Sequence, residues 1–266
     1  MDINVNNTLF TGKFLLHLPT VDSTNNYAKE WIAKNSPING TVIIADEQVA
    51  GRGQKGNVWI SEAGKNLTFS VIYKTDFLLA TEQFWLNIAV SLGVWSAVEK
   101  QLNAHKEIEN GAHSLPTKTS IKWPNDIYVS NEKIAGILIE NTIQGQYLKQ
   151  SVIGIGCNVN QQHFPENLNA TSLCLLLKNE IDKLSFFLMM LEEIERFYLL
   201  LKERKLERLK KEYIDNLFRY NVTSNYKKDE ILFEGKIIDV DANGYLVMET
   251  ENGIQQFGFK EISFVI

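Results

Sequence analysis

Between residues 82 and 103 the apolar side chains Trp85, Ile88, Leu92, Trp95, Val98 and Leu102 recur at spacings of three and four. That period predicts a long amphipathic helix, and its tryptophan-bearing stripe reads as core. The neighbouring segments carry β signals instead. T-V-I-I-A after Gly40 and L-T-F-S-V-I-Y over 67–73 are β-branched or aromatic runs of strand length. Beyond a polar loop expected over 105–119, I-K-W-P-N-D-I-Y-V (121–129) and K-I-A-G-I-L-I-E (133–140) predict two strands joined through Ser130, Asn131 and Glu132. Pro124 interrupts the first of them. S-V-I-G-I-G-C-N (151–158) predicts another strand. The helical period then returns from Lys183 to about Leu217, with Leu184, Leu188, Leu191, Ile194, Phe197 and Leu201 on one side.

Near Arg219 the pattern changes to short alternating β runs separated by Asn243-Gly244 and Asn252-Gly253. Asn-Gly between such runs is a strong hairpin signal, because a type I′ turn needs positive φ at both central positions. Two units are therefore expected, residues 1–218 and 219–266. A tail of about fifty residues makes only a small barrel that must lean on what precedes it.

Composition removes several function classes. A hydrophobic fraction of 44% and a charged fraction of 22% are those of an ordinary soluble globular chain. The formal charge of -5 is the wrong sign for coating DNA or RNA. Cys157 and Cys174 with four scattered histidines make neither a disulfide framework nor a zinc pattern, which points to a reducing cytoplasm. The N-terminus lacks a secretory signal, and no run approaches the about 18 apolar residues that span a bilayer.

Chemistry is concentrated in E-Q-V-A-G-R-G-Q-K-G-N-V-W, residues 47–59. Gly51, Gly53 and Gly56 punctuate a loop that also carries Arg52 and Lys55. Such a turn is either a concave nest for an anion, with a guanidinium offering forked donors, or a plain surface turn with two solvated cations. Its spacing fits neither a P-loop nor a dinucleotide fingerprint. In T-V-D-S-T-N-N-Y-A, Ser23 or Thr24 caps a helix, and the same hydroxyls and N–H groups either end there or serve a carbonyl or anionic ligand. Lys122 is half of a surface salt bridge with Asp126, or points into a polar pocket beside Asn125 and Asp126. Lys133 and Gly136 lie on the returning strand, where a glycine often marks close approach of another backbone or a ligand. Gly154 and Gly156 share one strand face by the period of two, leaving it bare for a ligand or for a tight helix contact.

D-S-T-N at 22–25, Q-x-x-G-R-G from Gln48, K-W-P-N-D from Lys122, K-I-A-G-I-L-I-E from Lys133 and G-I-G-x-N from Gly154 occur in the order and approximate spacing of the biotin–protein ligases. The chain resembles that family over nearly its whole length. The resemblance implies an α/β (α+β) catalytic domain of class II aminoacyl-tRNA synthetase type, with a mixed sheet and helices, followed by a small Src-homology-like β-barrel. Members that also repress transcription carry a winged helix in front, and D-S-T beginning at Asp22 leaves no room for one.

The implied reaction has two steps. Biotin's carboxylate attacks the α-phosphorus of ATP to give biotinyl-AMP and pyrophosphate, and a lysine of a biotin carboxyl carrier protein then attacks the mixed anhydride. By resemblance, Arg52 and Lys122 are the catalytic cations, with Mg²⁺ bridging phosphates. Ser23, Thr24, Asn25, Gln48, Gly51, Arg52, Gly53, Lys133 and Gly136 go to biotin, with Gly154 and Gly156 as the shelf under its bicyclic ring. Gln54, Lys55, Trp59, Asn125, Asp126 and Asn158 lie toward ATP, and Asp126 toward the metal. Gln54 departs from the arginine often found there, leaving Lys55 to compensate or the adenylate held less tightly. The glycine loop is expected to order over the adenylate and exclude water. A lipoate or octanoate ligase of the same fold is the alternative; K-W-P-N-D and G-R-G favour biotin. A non-catalytic biotin sensor is disfavoured by the intact cations. Homodimers occur in the family, and the sequence names no interface.

Overall fold

The structure is a computed structural model describing residues 5–108 and 118–265. Its main sheet is made by β1 (Leu15–Val21), β2 (Thr41–Gln48), β3 (Leu67–Lys74), β4 (Thr119–Lys122), β5 (Asp126–Val129), β6 (Glu132–Gln144) and β7 (Tyr147–Cys157). In space they run β1-β2-β3-β7-β6-β5-β4. β1 and β2 are parallel and the remaining neighbours antiparallel.

Alternation along the strands assigns the two faces. Ile43, Ile72 and Val152 pack under Ala28 of α1 (Thr24–Lys34). Val42, Ile44, Phe69, Val71 and Ile153 face the larger core, which α2 (Gln83–Ile108), α3 (Leu173–Leu177), α4 (Lys183–Lys202) and α5 (Leu206–Asp215) complete. Gly93 of α2 lets α4 approach so closely that a Cβ there would come within 2.7 Å of the Ile194 backbone. The expected α/β architecture with a mixed sheet is thus present as three layers.

Three readings of the sequence need correction. The segment 121–129 is not one interrupted strand but two antiparallel ones, with Lys122 opposite Asp126 and a cis Trp123–Pro124 bond in the turn. Proline has no N–H for a ladder, and here it marks the reversal itself. The single helix from Lys183 to Leu217 is broken at Glu203–Lys205, where Arg204 has φ 60, so that Leu209 and Tyr213 of α5 reach the core from a new direction. The Lys/Glu/Arg run concealed the break because all three residues favour helix equally well. The loop expected from His105 begins later, since α2 continues to Ile108; residues 109–117 of that expected loop lie outside the described residues.

The tail forms a second sheet from β8 (Thr223–Lys228), β9 (Ile231–Val240), β10 (Leu246–Thr250), β11 (Gly253–Phe257) and β12 (Ser263–Phe264), in the order β11-β10-β9-β8-β12. Both Asn-Gly steps connect the antiparallel neighbours they were expected to connect. The second sheet leans on the first through Gly244, whose carbonyl accepts from Trp123 Nε1 at 3.0 Å. Gly244 has φ +92 and lies against the Phe84 ring, with Phe259 edge-on to Trp123 at 6.2 Å. This docking brings residues 259–264 over the main sheet.

Candidate active site

A cavity of about 740 Å³ lies between the α1-bearing face of the main sheet and residues 259–264. Its floor is the paired register of β6 and β7, where Gly136 faces Gly156 and Leu138 faces Gly154. Ser23, Thr24, Asn25, Gln48, Arg52, Gly53, Gln54, Trp59, Lys122, Asn125, Asp126, Lys133, Gly136, Gly154 and Gly156 all line it. These residues come from five separate stretches, and the fold gathers them into one space.

At one end the groups are neutral and polar. Ser23 stands at the N-cap of α1, yet its hydroxyl makes no capping bond and is buried at the cavity wall. Gln48 Oε1 accepts from Thr24 N at 2.8 Å and Thr24 Oγ1 at 3.1 Å. Ser70 Oγ lies 2.8 Å from Thr24 Oγ1 and donates to Asn25 Oδ1 at 2.7 Å. The Asn25 amide in turn donates to Glu140 Oε2 at 2.9 Å. Thr24, Asn25 and Ser70 are each almost fully buried, so this network is rigid and pre-oriented.

The glycine loop folds into a short hairpin. Arg52 bridges Val58, Gly53 N donates to Asn57 O at 2.7 Å, and Trp59 N donates to Gly51 O at 3.0 Å. Gly51 lies outside the cavity lining, and a Cβ there would overlap the Trp59 carbonyl. The Lys55 side chain lies outside the described residues. Gln54 Nε2 reaches Ile137 O at 3.5 Å. Arg52 turns onto Glu140, with Nη2 to Oε1 at 3.1 Å, and its Nη1 donates to Asn26 Oδ1 at 2.7 Å. Lys29 also holds Glu140, at 2.9 Å. Burial works to raise the Glu140 carboxyl, but hydrogen bonds from Lys29 and Asn25 and the nearby cations overcome it and hold it below the usual range.

The two shelf glycines are covered by the protein's own side chains. A Cβ on Gly154 would overlap the Asn25 amide, and one on Gly156 the Trp59 indole. The indole also stands 3.3 Å from where a Gly136 Cβ would lie, and its Nε1 is buried without a partner. Of the two readings of the bare strand face, the helix contact applies at Gly154, through Asn25 of α1.

At the other end lie the cations. Asp126 pairs with Lys133 at 2.7 Å, and no ion pair joins it to Lys122. Lys122 Nζ donates instead to Tyr128 Oη at 3.1 Å. Burial pushes its ammonium down to about 8, with Asp126 opposing and Lys133 and Arg219 adding to the fall. The pocket alternative for Lys122 therefore holds. Asn125 donates to Ile137 O across the floor. Asn158 sits outside the lining at the end of β7, donating to Thr171 O at 2.9 Å, and its Oδ1 is buried without a partner.

Ser70, Tyr128, Glu140 and Phe264 were not read from the sequence. Tyr128 follows Asp126 by two positions and was within reach of the K-W-P-N-D motif. The others had no local signal.

Comparison with known proteins is consistent across the chain. Residues 18–158 match the biotin/lipoate A/B protein ligase family, and residues 221–265 match the biotin protein ligase C terminal domain. A bifunctional ligase/repressor BirA from Bacillus spizizenii is 32% identical over 255 residues, covering 92% of this chain and 72% of that protein. A biotin–[acetyl-CoA-carboxylase] ligase from Mycobacterium tuberculosis is 32% identical over 151 residues, 57% of this chain and 51% of its own length. The structure of a biotin protein ligase from Aquifex aeolicus in complex with biotin and ATP superposes with a TM-score of 0.75 at 27% identity, covering 95% of this chain and 99% of that one.

Proposed function

The chain belongs to the biotin/lipoate A/B protein ligase family, and on that premise we propose that it is an ATP-dependent ligase that activates biotin as biotinyl-adenylate and transfers it to a lysine of a biotin carboxyl carrier domain. The observation that carries this reading is the division of one cavity into a polar end, built on Thr24, Asn25 and Gln48 with Arg52 held beside them on Glu140, and a second end built on Lys122, Lys133 and Asp126. A ureido ring needs donors and acceptors together, which hydroxyls and amides supply. A lipoyl dithiolane needs neither, and the similar proteins named above are biotin ligases.

In the first step a carboxylate oxygen forms a bond to the α-phosphorus and the bond to the pyrophosphate oxygen breaks. Both reactants are anionic, so the barrier is charge, and prepositioned cations lower it. Lys122 is already desolvated inside the cavity, while Arg52 must exchange Glu140 for a phosphate or carboxylate oxygen. A bicyclic ring lying on Gly156 requires the Trp59 indole to move aside. In the second step a neutral lysine amine attacks the acyl carbon, the C–O bond to AMP breaks, and the amine proton is released.

Among the described residues no cluster of three or more His, Cys, Asp or Glu could hold a metal ion. Asp126, at the cationic end, offers a single carboxylate with one oxygen engaged by Lys133. That donor set fits Mg²⁺ carried chiefly by the triphosphate, with Asp126 as its protein contact. There the ion would neutralise phosphate charge.

The test is to mix the protein with biotin, Mg·ATP and a carrier domain, with lipoate as the parallel acyl donor. An ATP-dependent, biotin-sized mass increase on the carrier supports the reading. No pyrophosphate release with biotin, or release with lipoate alone, overturns it.

A further inference from the structure

Lys122 is held by residues from both sheets. Its Nζ lies 4.8 Å from the centroid of the Tyr128 ring and 5.0 Å from that of Phe264, and Tyr128 Oη accepts its hydrogen bond. Tyr128 belongs to β5, beside the lysine's own strand. Phe264 belongs to β12, at the far end of the chain, paired with Tyr226 of β8. The rings are braced: Phe218 stands 5.5 Å from Tyr128 and 6.1 Å from Phe264, and Tyr226 meets Phe264 edge-on at 5.1 Å. Two ring faces thus flank the ammonium, one of them with a hydroxyl acceptor.

The alternatives for this lysine in the cavity are few. Asp126, opposite it in the ladder, is paired with Lys133 and acts on the ammonium through its field without an ion pair. Ring faces attract a cation without neutralising it, and they restrict its direction. A carboxylate partner would compete with phosphate for the lysine, whereas aromatic faces leave its full charge for an incoming anion.

We propose that Phe264 and Tyr128 are positioning residues that seat the Lys122 ammonium for transfer to the nucleotide, so that the C-terminal sheet contributes directly to the chemical step. The proposal rests on the reading of Lys122 as a phosphate-facing cation. It predicts that removing one aromatic face while keeping side-chain volume loosens the lysine and slows adenylation, with little effect on biotin binding at the other end of the cavity.

Two measurements on the full chain test it. In the first, lysines are reductively ¹³C-methylated and the Lys122 signal is assigned by its loss in Lys122→Arg. Ring currents from two faces should displace it upfield in the parent protein, and Phe264→Leu should move it back toward the other lysines. A Lys122 signal at the position of solvent-exposed lysines overturns the seat, whatever the protein catalyses. In the second, pyrophosphate release is followed at varied biotin. Phe264→Leu should lower kcat about tenfold with KM for biotin unchanged, Phe264→Tyr should restore it, and Tyr128→Phe, which keeps the ring, should fall between. Unchanged kcat in Phe264→Leu, or equal losses in Phe264→Leu and Phe264→Tyr, overturns the positioning role. A displaced signal in a protein that releases no pyrophosphate would sink the biotin-activation reading and the transfer role together while leaving the seat in place.

Discussion

Arg52 Nη2 lies 3.1 Å from Glu140 Oε1, so the cation of the glycine loop is held by a carboxylate on β6 and must give it up to engage an anionic ligand. The pair is partly exposed, and a pair of this kind is worth about 0.2–1 kcal/mol, little enough to be exchanged. Arg52→Ala should leave the fold intact and lower biotin-dependent pyrophosphate release by about 10²–10³-fold. Near-parent turnover of a purified, folded variant would remove Arg52 from the chemical step. Glu140→Gln should free the loop, and limited trypsin digestion should then cleave after Arg52 a few times faster than in the parent.

Lys122 carries the pH dependence. Because burial lowers it to about 8, its ammonium is present below that pH and is lost as pH rises through it. The kcat/KM for pyrophosphate release, which reports the free enzyme, should therefore fall on the alkaline side with a midpoint near that value. Lys122→Arg keeps its charge at higher pH and should show no such limb, at reduced activity. Lys122→Ala should be inactive throughout. An alkaline limb that persists in Lys122→Arg would assign it to another group.

The shelf glycines separate two effects. Gly156→Ala places a methyl where the Trp59 indole lies, so the indole must leave the strand face. Tryptophan fluorescence should shift toward the wavelength of a wetter indole. Gly154→Ala instead strikes the buried Asn25 amide and should disturb its bonds to Ser70 and Glu140. Overpacking of this kind costs about 1–3 kcal/mol, and calorimetry should show weaker biotin binding with a lower Tm. Parent-like affinity in Gly154→Ala would separate Asn25 from biotin recognition.

Gly244 tests how the two sheets depend on each other. It has φ +92, and a Cβ there would come within 2.5 Å of the Phe84 ring while its carbonyl holds the Trp123 indole. Gly244→Ala should destabilise the docked second sheet by on the order of 2 kcal/mol, seen as an early transition in urea. Adenylation should fall with it, because residues 259–264 line the cavity.

Much of this was legible before any coordinates. The stripe from Trp85 to Leu102, the β-branched runs and the two Asn-Gly turns are local patterns, and local patterns are what a one-dimensional reading detects. The motifs around Ser23, Gln48, Lys122, Lys133 and Gly154 named most of the cavity for the same reason, since each carries its residue types within a few positions. The tertiary structure alone decided who meets whom. Asn25 and Glu140 are 115 residues apart, and Lys122 takes Tyr128 and Phe264 rather than the Asp126 opposite it in the ladder. Alternation assigns a side chain to a face but not to a partner on that face. A partner supplied by another sheet is fixed by how Gly244, Phe84 and Trp123 pack, and no spacing along the chain encodes that docking.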